Sequence, residues 1–262
     1  KTAILLAATR ANGLTTIDEP LQSRDHSEIL LRKLGAEITT EAGRITIKGP
    51  FVSNGDFSFK VPGDISSAAF VIVAAMLLPG SKVEISNVLL NPGRTAFLNK
   101  LRQMGARLNW EVESSEFELA GTIKVAYSPN LKAIDIQSHE VPGLIDELPV
   151  LAAAMAFADG VSSVRGATEL RVKESDRISS ICSLLKNIGV TAEELDDGFY
   201  ITGPARIKNC FAVNPGGDHR IAATMAVLAM ASNQGLLITD HECIKISFPD
   251  FSQIFLELFQ PK

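Results

Sequence analysis

The sequence has 262 residues, of which 46% are hydrophobic and 21% are charged, a composition typical of a globular protein with one large core or two smaller ones. Its net charge of −5 argues against a nucleic-acid partner, and its longest apolar runs, 68–78 and 150–158, are too short to cross a bilayer, which argues against a membrane partner. Cys182, Cys210 and Cys243 lack the spacing of metal ligands and favour a reducing, cytoplasmic compartment.

One order of elements recurs along the chain: an apolar helix, a short strand, a charged amphipathic helix and a hairpin. The predicted first copy comprises helix 2–11, strand 15–17, helix 24–34, and strands 37–40 and 44–48. The second comprises helix 66–78, strand 82–86, helix 94–104, and strands 107–110 and 117–119. The third comprises helix 145–158, strand 162–165, helix 172–188, and strands 190–193 and 199–201. The fourth comprises helix 218–231, strand 236–239 and helix 251–259, with no hairpin after it.

A glycine ends the amphipathic helix in three of the four predicted copies. Gly35, Gly105 and Gly189 fill the same position, and glycine is the preferred residue just beyond a helix C-terminus. This agreement favours a true repeat, and the sequence therefore predicts an α/β (α+β) fold built from repeated units. Because the fourth copy lacks its hairpin, we expect another segment of the protein to complete its sheet edge.

The segment 54–63 contains glycine and proline and predicts a domain boundary. Residues 1–61, which hold the first copy, would then belong to one domain and residues 62–262 to another. The chain also opens at Lys1 inside a helix-like apolar run, without an initiator methionine. We therefore expect a fragment whose N-terminal part lies elsewhere.

Six charged side chains fall within residues 169–177, directly ahead of an apolar helical run. A helix that begins near Val172 would place Lys173 and Arg177 on one face, where they repel each other unless an anion lies between them. Glu174 is the next side chain around the helix and could serve chemistry at that anion site. The alternative interpretation is a solvated first turn with ordinary surface ion pairs, Glu169–Lys173 and Lys173–Asp176.

Four polar clusters, 23–26, 62–67, 145–149 and 216–220, stand at the starts of predicted helices. Free backbone N–H groups and the helix dipole favour anions there. Four cations fall at helix starts: Arg24, Lys173, Arg177 and Arg220. We expect them on one side of the molecule, where they would bind a small anion with several charges.

Carboxylates accompany these cations. Asp146 beside Glu174 would supply groups for proton transfer. The alternative is structural: Asp64, Asp146 and Asp218 would be ordinary N-cap residues and the arginines surface charges. The four histidines show no metal-ligand spacing, and the sequence has no glycine-rich phosphate loop followed by lysine. The residues alone thus indicate an anion-handling enzyme and leave its reaction open.

Five motifs follow one another along the chain: Val61-Pro62-Gly63-Asp64-Ile65-Ser66-Ser67, Asp146-Glu147-Leu148-Pro149, Lys173-Glu174-Ser175-Asp176-Arg177, Asp218-His219-Arg220 and Ser247-Phe248-Pro249-Asp250-Phe251. In this order they resemble the EPSP synthases, the 3-phosphoshikimate 1-carboxyvinyltransferases. The resemblance runs the length of the chain, and the Lys-Glu-Ser-Asp-Arg element is highly specific to that family. The segment 23–26 resembles the branch that carries an arginine in its shikimate-phosphate site.

The resemblance implies the enolpyruvyl transferase fold, with two domains of βαβαββ repeats around an interdomain cleft. It implies transfer of the enolpyruvyl group of phosphoenolpyruvate to the 5-hydroxyl of shikimate 3-phosphate, with release of phosphate, in the shikimate pathway of aromatic amino acid biosynthesis. No metal or redox cofactor is expected. The missing N-terminal segment of the same protein would complete the fourth copy, so we expect residues 1–262 alone to be inactive and the full-length protein to be a monomer.

The resemblance also assigns roles to the candidate residues. Asp146 would take the proton from the 5-hydroxyl, and Glu174 would protonate the methylene carbon of phosphoenolpyruvate. Shikimate 3-phosphate would be bound by three residues, Arg24, Asp146 and Lys173. Phosphoenolpyruvate would be bound by two, Arg177 and Arg220.

The chain departs from the family pattern at Ile246, where some relatives have a lysine, and the adjacent Lys245 would point elsewhere. Other family motifs would lie before Lys1. The UDP-N-acetylglucosamine enolpyruvyl transferases share the fold and reaction but lack the Lys-Glu-Ser-Asp-Arg element. An RNA 3′-phosphate cyclase-like enzyme is disfavoured by the acidic charge and the few aromatic residues. A non-catalytic regulatory or scaffolding piece is the third alternative.

Overall fold

The computed structural model describes residues 1–21, 23–53, 55–207, 212–232 and 237–259. The first repeat contains α1 (Thr2–Ala8), β1 (Gly13–Asp18), α2 (His26–Lys33), β2 (Ile38–Glu41) and β3 (Arg44–Gly49). The second contains α3 (Ile65–Leu77), β4 (Lys82–Leu89), α4 (Ala96–Gln103), β5 (Arg107–Ser114) and β6 (Ala120–Ala126). The third contains β7 (Asp135–Ile136), α5 (Leu148–Ala156), β8 (Gly160–Val164), α6 (Arg177–Asn187), β9 (Thr191–Leu195) and β10 (Gly198–Gly203). The fourth contains β11 (Ala212–Val213), α7 (His219–Ala231), β12 (Leu237–Ile238) and α8 (Phe251–Leu258).

The sheets repeat one strand order. The last strand of each of the first three repeats lies between two earlier strands and pairs antiparallel with both, in the orders β1-β3-β2, β4-β6-β5 and β8-β10-β9. A first strand runs parallel to its neighbour in the later repeats, as β7 beside β8 and β11 beside β12. This shared topology confirms the predicted repetitive α/β fold.

The glycines predicted to end the amphipathic helices do so. Gly35, Gly105 and Gly189 have φ values of +96°, +91° and +86°, in the left-handed region that a side chain disfavours. Each glycine N–H donates to the carbonyl three residues earlier, and the next N–H donates to the carbonyl five residues earlier. This is the Schellman arrangement, which satisfies carbonyl groups that the helix end leaves free.

Two clusters of buried apolar side chains form the interior. The smaller includes Leu5, Leu31 and Ile47 from the first repeat. The larger surrounds α3, α5 and α7, which contact one another and are apolar on nearly all sides, as buried helices are. The predicted boundary at 54–63 stays a prediction, and its Asn54 is outside the described residues. No helix in the described part of the chain is both long and apolar enough to cross a membrane.

Two predicted elements are wrong in position. The strand predicted at 117–119 lies instead at β6, where Gly121 passes so close to Glu111 that an added Cβ would sit 1.9 Å from the carbonyl oxygen of Glu111. The helix predicted from Val172 begins at Arg177, because the Asp176 side chain accepts a hydrogen bond from the Ser179 N–H and caps α6 there. In the strand predicted at 236–239, Leu236 is outside the described residues.

Candidate active site

Asp146 lies where the first, third and fourth repeats meet. Its Oδ2 forms an ion pair with Arg24 Nη2 and lies 3.7 Å from Arg220 Nη2, and its Oδ1 lies 4.0 Å from Arg177 Nη1. Arg220 Nη1 also donates to the Asp146 main-chain carbonyl at 2.7 Å. One carboxylate thus has three guanidinium groups around it.

The loop ahead of α2 delivers Arg24 to this position. Asn91 donates to Asp25 Oδ1 at 2.8 Å, and His26 Nδ1 is 2.6 Å from Glu118 Oε1. These contacts attach the two residues that follow Arg24 to loops of the second repeat. The arginine therefore approaches Asp146 from a fixed backbone.

A buried ion pair orients Arg177 at the start of α6. Arg177 Nε donates to Asp218 Oδ2 at 2.8 Å, and the two side chains are 1% and 0% exposed. Asp218 also accepts from Ser175 Oγ at 2.9 Å and from the Arg220 N–H at 2.9 Å, where it caps α7. Burial by itself would raise the pKa of Asp218, but the hydrogen bond and charge of Arg177 hold that pKa below its usual range.

The pKa of Asp146 is lowered as well. Burial acts to raise it, and the charge of Arg220 with the hydrogen bond from Arg24 outweighs burial. Burial and the charge of Arg220 lower the pKa of the neighbouring His219, so its imidazole is neutral at pH 7. At neutral pH the site therefore consists of an ionised Asp146, three arginines and a neutral histidine.

Glu174 reaches the site through Arg177, whose Nη2 donates to its Oε2 at 2.5 Å. Its side chain is 51% exposed, so it faces both the cluster and solvent. Lys173 does not join the cluster: its backbone is extended, at φ −80° and ψ −156°, and its Nζ forms an ion pair with Glu169. The expectation that Lys173 and Arg177 share a helix face is therefore wrong, because α6 begins only at Arg177.

The structural interpretation of the three aspartates is correct for two of them and wrong for the third. Asp64 and Asp218 are N-cap residues, as the structural interpretation predicts, and Asp64 accepts from the Ser67 N–H at 2.9 Å. Asp146 is not a cap, because Glu147 occupies that position of α5. The predicted Glu169–Lys173 surface pair is present, whereas Asp176 pairs with Arg171 at 2.7 Å.

Sequence reasoning gave no role to three buried polar residues near Asp146: Ser66, Arg94 and Glu147. Arg94 Nη2 donates to Ser66 Oγ at 2.6 Å, and Ser66 Oγ donates to Glu147 Oε1. The cluster at 62–67 offered no cation of its own, and Arg94, far along the chain, supplies it. The signal in the sequence that could have indicated this network was Glu147, a second carboxylate directly after Asp146.

A cavity of about 890 Å³ opens beside the site, and its lining includes Ser23, Lys100, Gly143 and Leu144. Ser23 and Leu144 stand next to the segments that carry Arg24 and Asp146. Lys100, however, is paired with Glu140 at 2.7 Å, so the arginine cluster is the better place for an anion. Among the described residues, no group of three or more His, Cys, Asp or Glu side chains could hold a metal ion.

The fold is that of the enolpyruvyl transferases. The solved structure of EPSP synthase from Acinetobacter baumannii superposes with a TM-score of 0.88 at 35% identity, over 97% of this chain and 59% of that one. The enolpyruvyl transferase NikO from Streptomyces tendae superposes with a TM-score of 0.74 at 19% identity, over 97% of this chain and 57% of that one, a likeness of fold alone.

The sequence specifies the family. Residues 1–255 match the profile of EPSP synthase (3-phosphoshikimate 1-carboxyvinyltransferase), and the chain belongs to that family. The 3-phosphoshikimate 1-carboxyvinyltransferase of Thermotoga sp. (strain RQ2) is 44% identical over 254 residues, which are 97% of this chain and 60% of that protein. The chain thus spans about 60% of the length of such curated relatives.

Proposed function

We propose that the full-length protein transfers the enolpyruvyl group of phosphoenolpyruvate to the 5-hydroxyl of shikimate 3-phosphate and releases phosphate. Full-length here means a polypeptide that carries residues 1–262 together with the part found only in its longer relatives. The observation that carries the proposal is the Asp146 carboxylate among Arg24, Arg177 and Arg220. Both substrates carry a phosphate and a carboxylate, the anions that guanidinium groups bind best.

The cations divide between the two substrates in this proposal. Arg24 and Lys173 bind shikimate 3-phosphate, and Arg177 and Arg220 bind phosphoenolpyruvate. Lys173 must leave Glu169 to do so, and that exposed ion pair contributes about 0–1 kcal/mol. A substrate phosphate can therefore take the ammonium group at small cost.

The chemistry is an addition followed by an elimination. Asp146 takes the proton of the 5-hydroxyl group while the hydroxyl oxygen attacks C2 of phosphoenolpyruvate. Glu174 donates a proton to the C3 methylene, which becomes a methyl group. The tetrahedral adduct then breaks its C2–O bond to phosphate and returns a methyl proton to Glu174, which restores the double bond. The hydroxyl proton leaves with the phosphate, so both carboxylates regain their starting states.

Substrate binding prepares Asp146 for its role. In the free site the pKa of Asp146 is held low by Arg220 and Arg24, which makes it a weak base. Substrate anions share those guanidinium groups and reduce their effect on Asp146, so its pKa rises when the site is filled. Cations around the reacting groups then orient the two substrates and stabilise charge as it redistributes.

The proposal extends to the organisation of the whole protein. Residues 1–61 would belong to one domain and residues 62–262 to the other, with the cleft between them. The separate apolar clusters of the two parts support this division. We infer a cytoplasmic monomer. We also infer that it requires its remaining N-terminal segment for activity, because apolar side chains of the first repeat, including Ile4, Leu6 and Leu14, are more than half exposed and would be covered by that segment.

The test compares Asp146→Asn and Glu174→Gln with wild type in the full-length protein. Phosphate release from phosphoenolpyruvate and shikimate 3-phosphate gives kcat, and calorimetry gives the affinity for shikimate 3-phosphate. Since acid–base groups typically contribute about 10²–10⁴-fold, each change should lower kcat by that order while binding stays within a few-fold.

The matched control is Glu193→Gln, which makes the same change at an exposed position of β9 and should leave kcat unchanged. A wild-type protein that binds both substrates and releases no phosphate would overturn the proposed function. Wild-type turnover in Glu174→Gln would remove Glu174 from the mechanism and leave the reaction standing. A parallel assay of residues 1–262 alone should show no transfer.

A further inference from the structure

Ser66, Arg94 and Glu147 form a buried network, which we call the brace, directly behind Asp146. They come from the first turn of α3, the loop before α4 and the N-cap of α5. Besides the two hydrogen bonds through Ser66 Oγ, Arg94 Nη2 lies 3.5 Å from Glu147 Oε1. The three residues are 4%, 7% and 1% exposed, so the brace is screened from solvent.

Stability alone does not explain the brace. Taking two charged groups out of water costs several kcal/mol per ion, and a well-packed apolar set is often as stable or more so. Here Glu147 Oε2 and Arg94 Nε also have no hydrogen-bond partner among the described residues. Each unsatisfied buried atom needs an explanation, and a role in the neighbouring site is one.

The brace meets Asp146 through the backbone. Glu147 follows Asp146 directly, so the side chain of one residue is held by Ser66 and the carbonyl of the other by Arg220, at 2.7 Å. The peptide group that joins Asp146 to Glu147 is thus held by a hydrogen bond on each side. A displacement of the Glu147 backbone would therefore also move Asp146, whose carboxylate faces the arginines.

The brace also touches Asp146 electrostatically. Burial raises the pKa of Asp146, whereas Arg220 and Arg24 lower it, and the charge of Arg94 lowers it further. Burial raises the pKa of Glu147, and the hydrogen bond from Ser66 and the charge of Arg94 oppose that rise only in part. The geometry and the charge of the brace therefore both act on the same carboxylate.

We propose that Ser66, Arg94 and Glu147 are positioning residues that hold the Asp146 carboxylate in place for proton transfer. The proposal rests on the role of Asp146 in the proposed function. A brace of this kind fixes the N-terminus of α5 against that of α3, and a misplacement of about 1 Å in a reacting group can cost about 10²-fold in rate. A purely structural brace would instead affect only the stability of the fold.

The test uses Glu147→Ala, Glu147→Gln and Arg94→Met in the full-length protein. Glu147→Ala removes the group that Ser66 holds and should lower kcat by about 10²-fold, with KM for both substrates changed by no more than about three-fold. Glu147→Gln keeps an oxygen acceptor for Ser66 and should recover most of that loss. Arg94→Met removes a cation near Asp146 and should raise its pKa, read by ¹³C NMR of the aspartate carboxyl groups.

The matched control is Glu28→Ala. Glu28 is another buried glutamate, 2% exposed, whose Oε2 also has no partner among the described residues, and it pairs with Lys1 at 2.8 Å. Its loss should lower Tm as Glu147→Ala does, without the loss of kcat and without a shift in the pKa of Asp146. Equal kcat losses in the two variants would overturn the positioning role.

The NMR measurement separates this inference from the proposed function, because it needs no turnover. An unchanged Asp146 pKa in Arg94→Met together with wild-type kcat in Glu147→Ala would refute the brace and leave the reaction intact. If the wild-type protein is inactive but Arg94→Met shifts the Asp146 pKa, the proposed reaction is refuted. The influence of the brace on Asp146 would still stand. If Glu147→Ala fails to fold, Arg94→Met carries the test: an unchanged Asp146 pKa in that variant would refute the brace.

Discussion

The pair formed by Arg177 and Asp218 offers the sharpest test of the electrostatics of the site. Asp218→Asn keeps the shape of the side chain and its ability to cap α7, since asparagine is as good an N-cap as aspartate. It removes the charge that Arg177 faces at 2.8 Å, in a pair whose members are 1% and 0% exposed. The substitution therefore leaves a buried guanidinium without its main counter-charge.

The magnitude follows from that burial. Removing one partner of a buried ion pair typically destabilises a protein by about 3–5 kcal/mol. Glu174 still accepts from Arg177 Nη2 at 2.5 Å, so we expect the lower end, about 3 kcal/mol. For a chain of this size that corresponds to a loss of about 6–12 °C in Tm.

The matched control is Asp64→Asn, the same substitution at the N-cap of α3. Asp64 is 54% exposed and lies 3.9 Å from Arg94 Nη2, so its charge contributes about 0–1 kcal/mol. Urea unfolding of the full-length variants, followed by circular dichroism at pH 7, gives both values. A difference of less than about 1 kcal/mol between the two variants would refute the reasoning.

The same pair predicts a pH dependence. The pKa of Asp218 is lowered in the folded protein, so its stabilising contribution is present above the unfolded value of about 3.9 and is lost as pH falls through the lower folded value. The stability difference between wild type and Asp218→Asn should therefore be constant from pH 5 to pH 7, by the estimate of about 3.9 for an unfolded carboxyl. It should shrink in stronger acid, and a difference that grew there would contradict the assigned direction.

Two further outcomes are expected. Arg24→Ala should raise KM mainly for shikimate 3-phosphate, and Arg220→Ala should raise it mainly for phosphoenolpyruvate. The loss of a charged hydrogen bond costs about 1.5–3 kcal/mol, which corresponds to roughly a 10–150-fold change in affinity. Equal effects of both changes on both substrates would refute this division. Gly121→Ala should prevent β6 from keeping its pairing, because the new Cβ would lie 1.9 Å from the Glu111 carbonyl oxygen, and a wild-type Tm for this variant would contradict the close approach.

The periodic parts of the fold could be predicted from local sequence. The glycines at 35, 105 and 189 mark helix ends because a left-handed residue is a local requirement, independent of the rest of the molecule. The start of α6 was predicted five residues too early at Val172, although its cap is local too. The spacing of Lys173, Glu174 and Arg177 suits one helical face. The helix nevertheless begins only after Asp176, because the side chain of that residue caps it.

The candidate site was only partly predictable. Arg24, Arg177 and Arg220 could be placed near Asp146 because repeats position equivalent elements alike. The brace could not, because Ser66, Arg94 and Glu147 are brought together by packing of α3 against α5, and no local pattern encodes which buried side chains meet. The helix face that Lys173 was predicted to share with Arg177 was wrong because α6 begins only at Arg177, whereas the Glu169–Lys173 pair could be predicted from its four-residue spacing.

The strand order of each repeat has a consequence for synthesis on the ribosome. The final strand of a repeat is the central one, so β1 and β2 share no hydrogen bonds and are joined only through β3, as β4 and β5 are through β6. In these two repeats a nascent chain therefore cannot assemble its sheet strand by strand as it emerges. Each of the two sheets closes only once its last strand has left the exit tunnel, and until then the earlier strands expose unpaired edges to other chains. Synonymous codons that slow translation one tunnel length after β3 and after β6 would therefore give each of these sheets time to close before the next repeat appears.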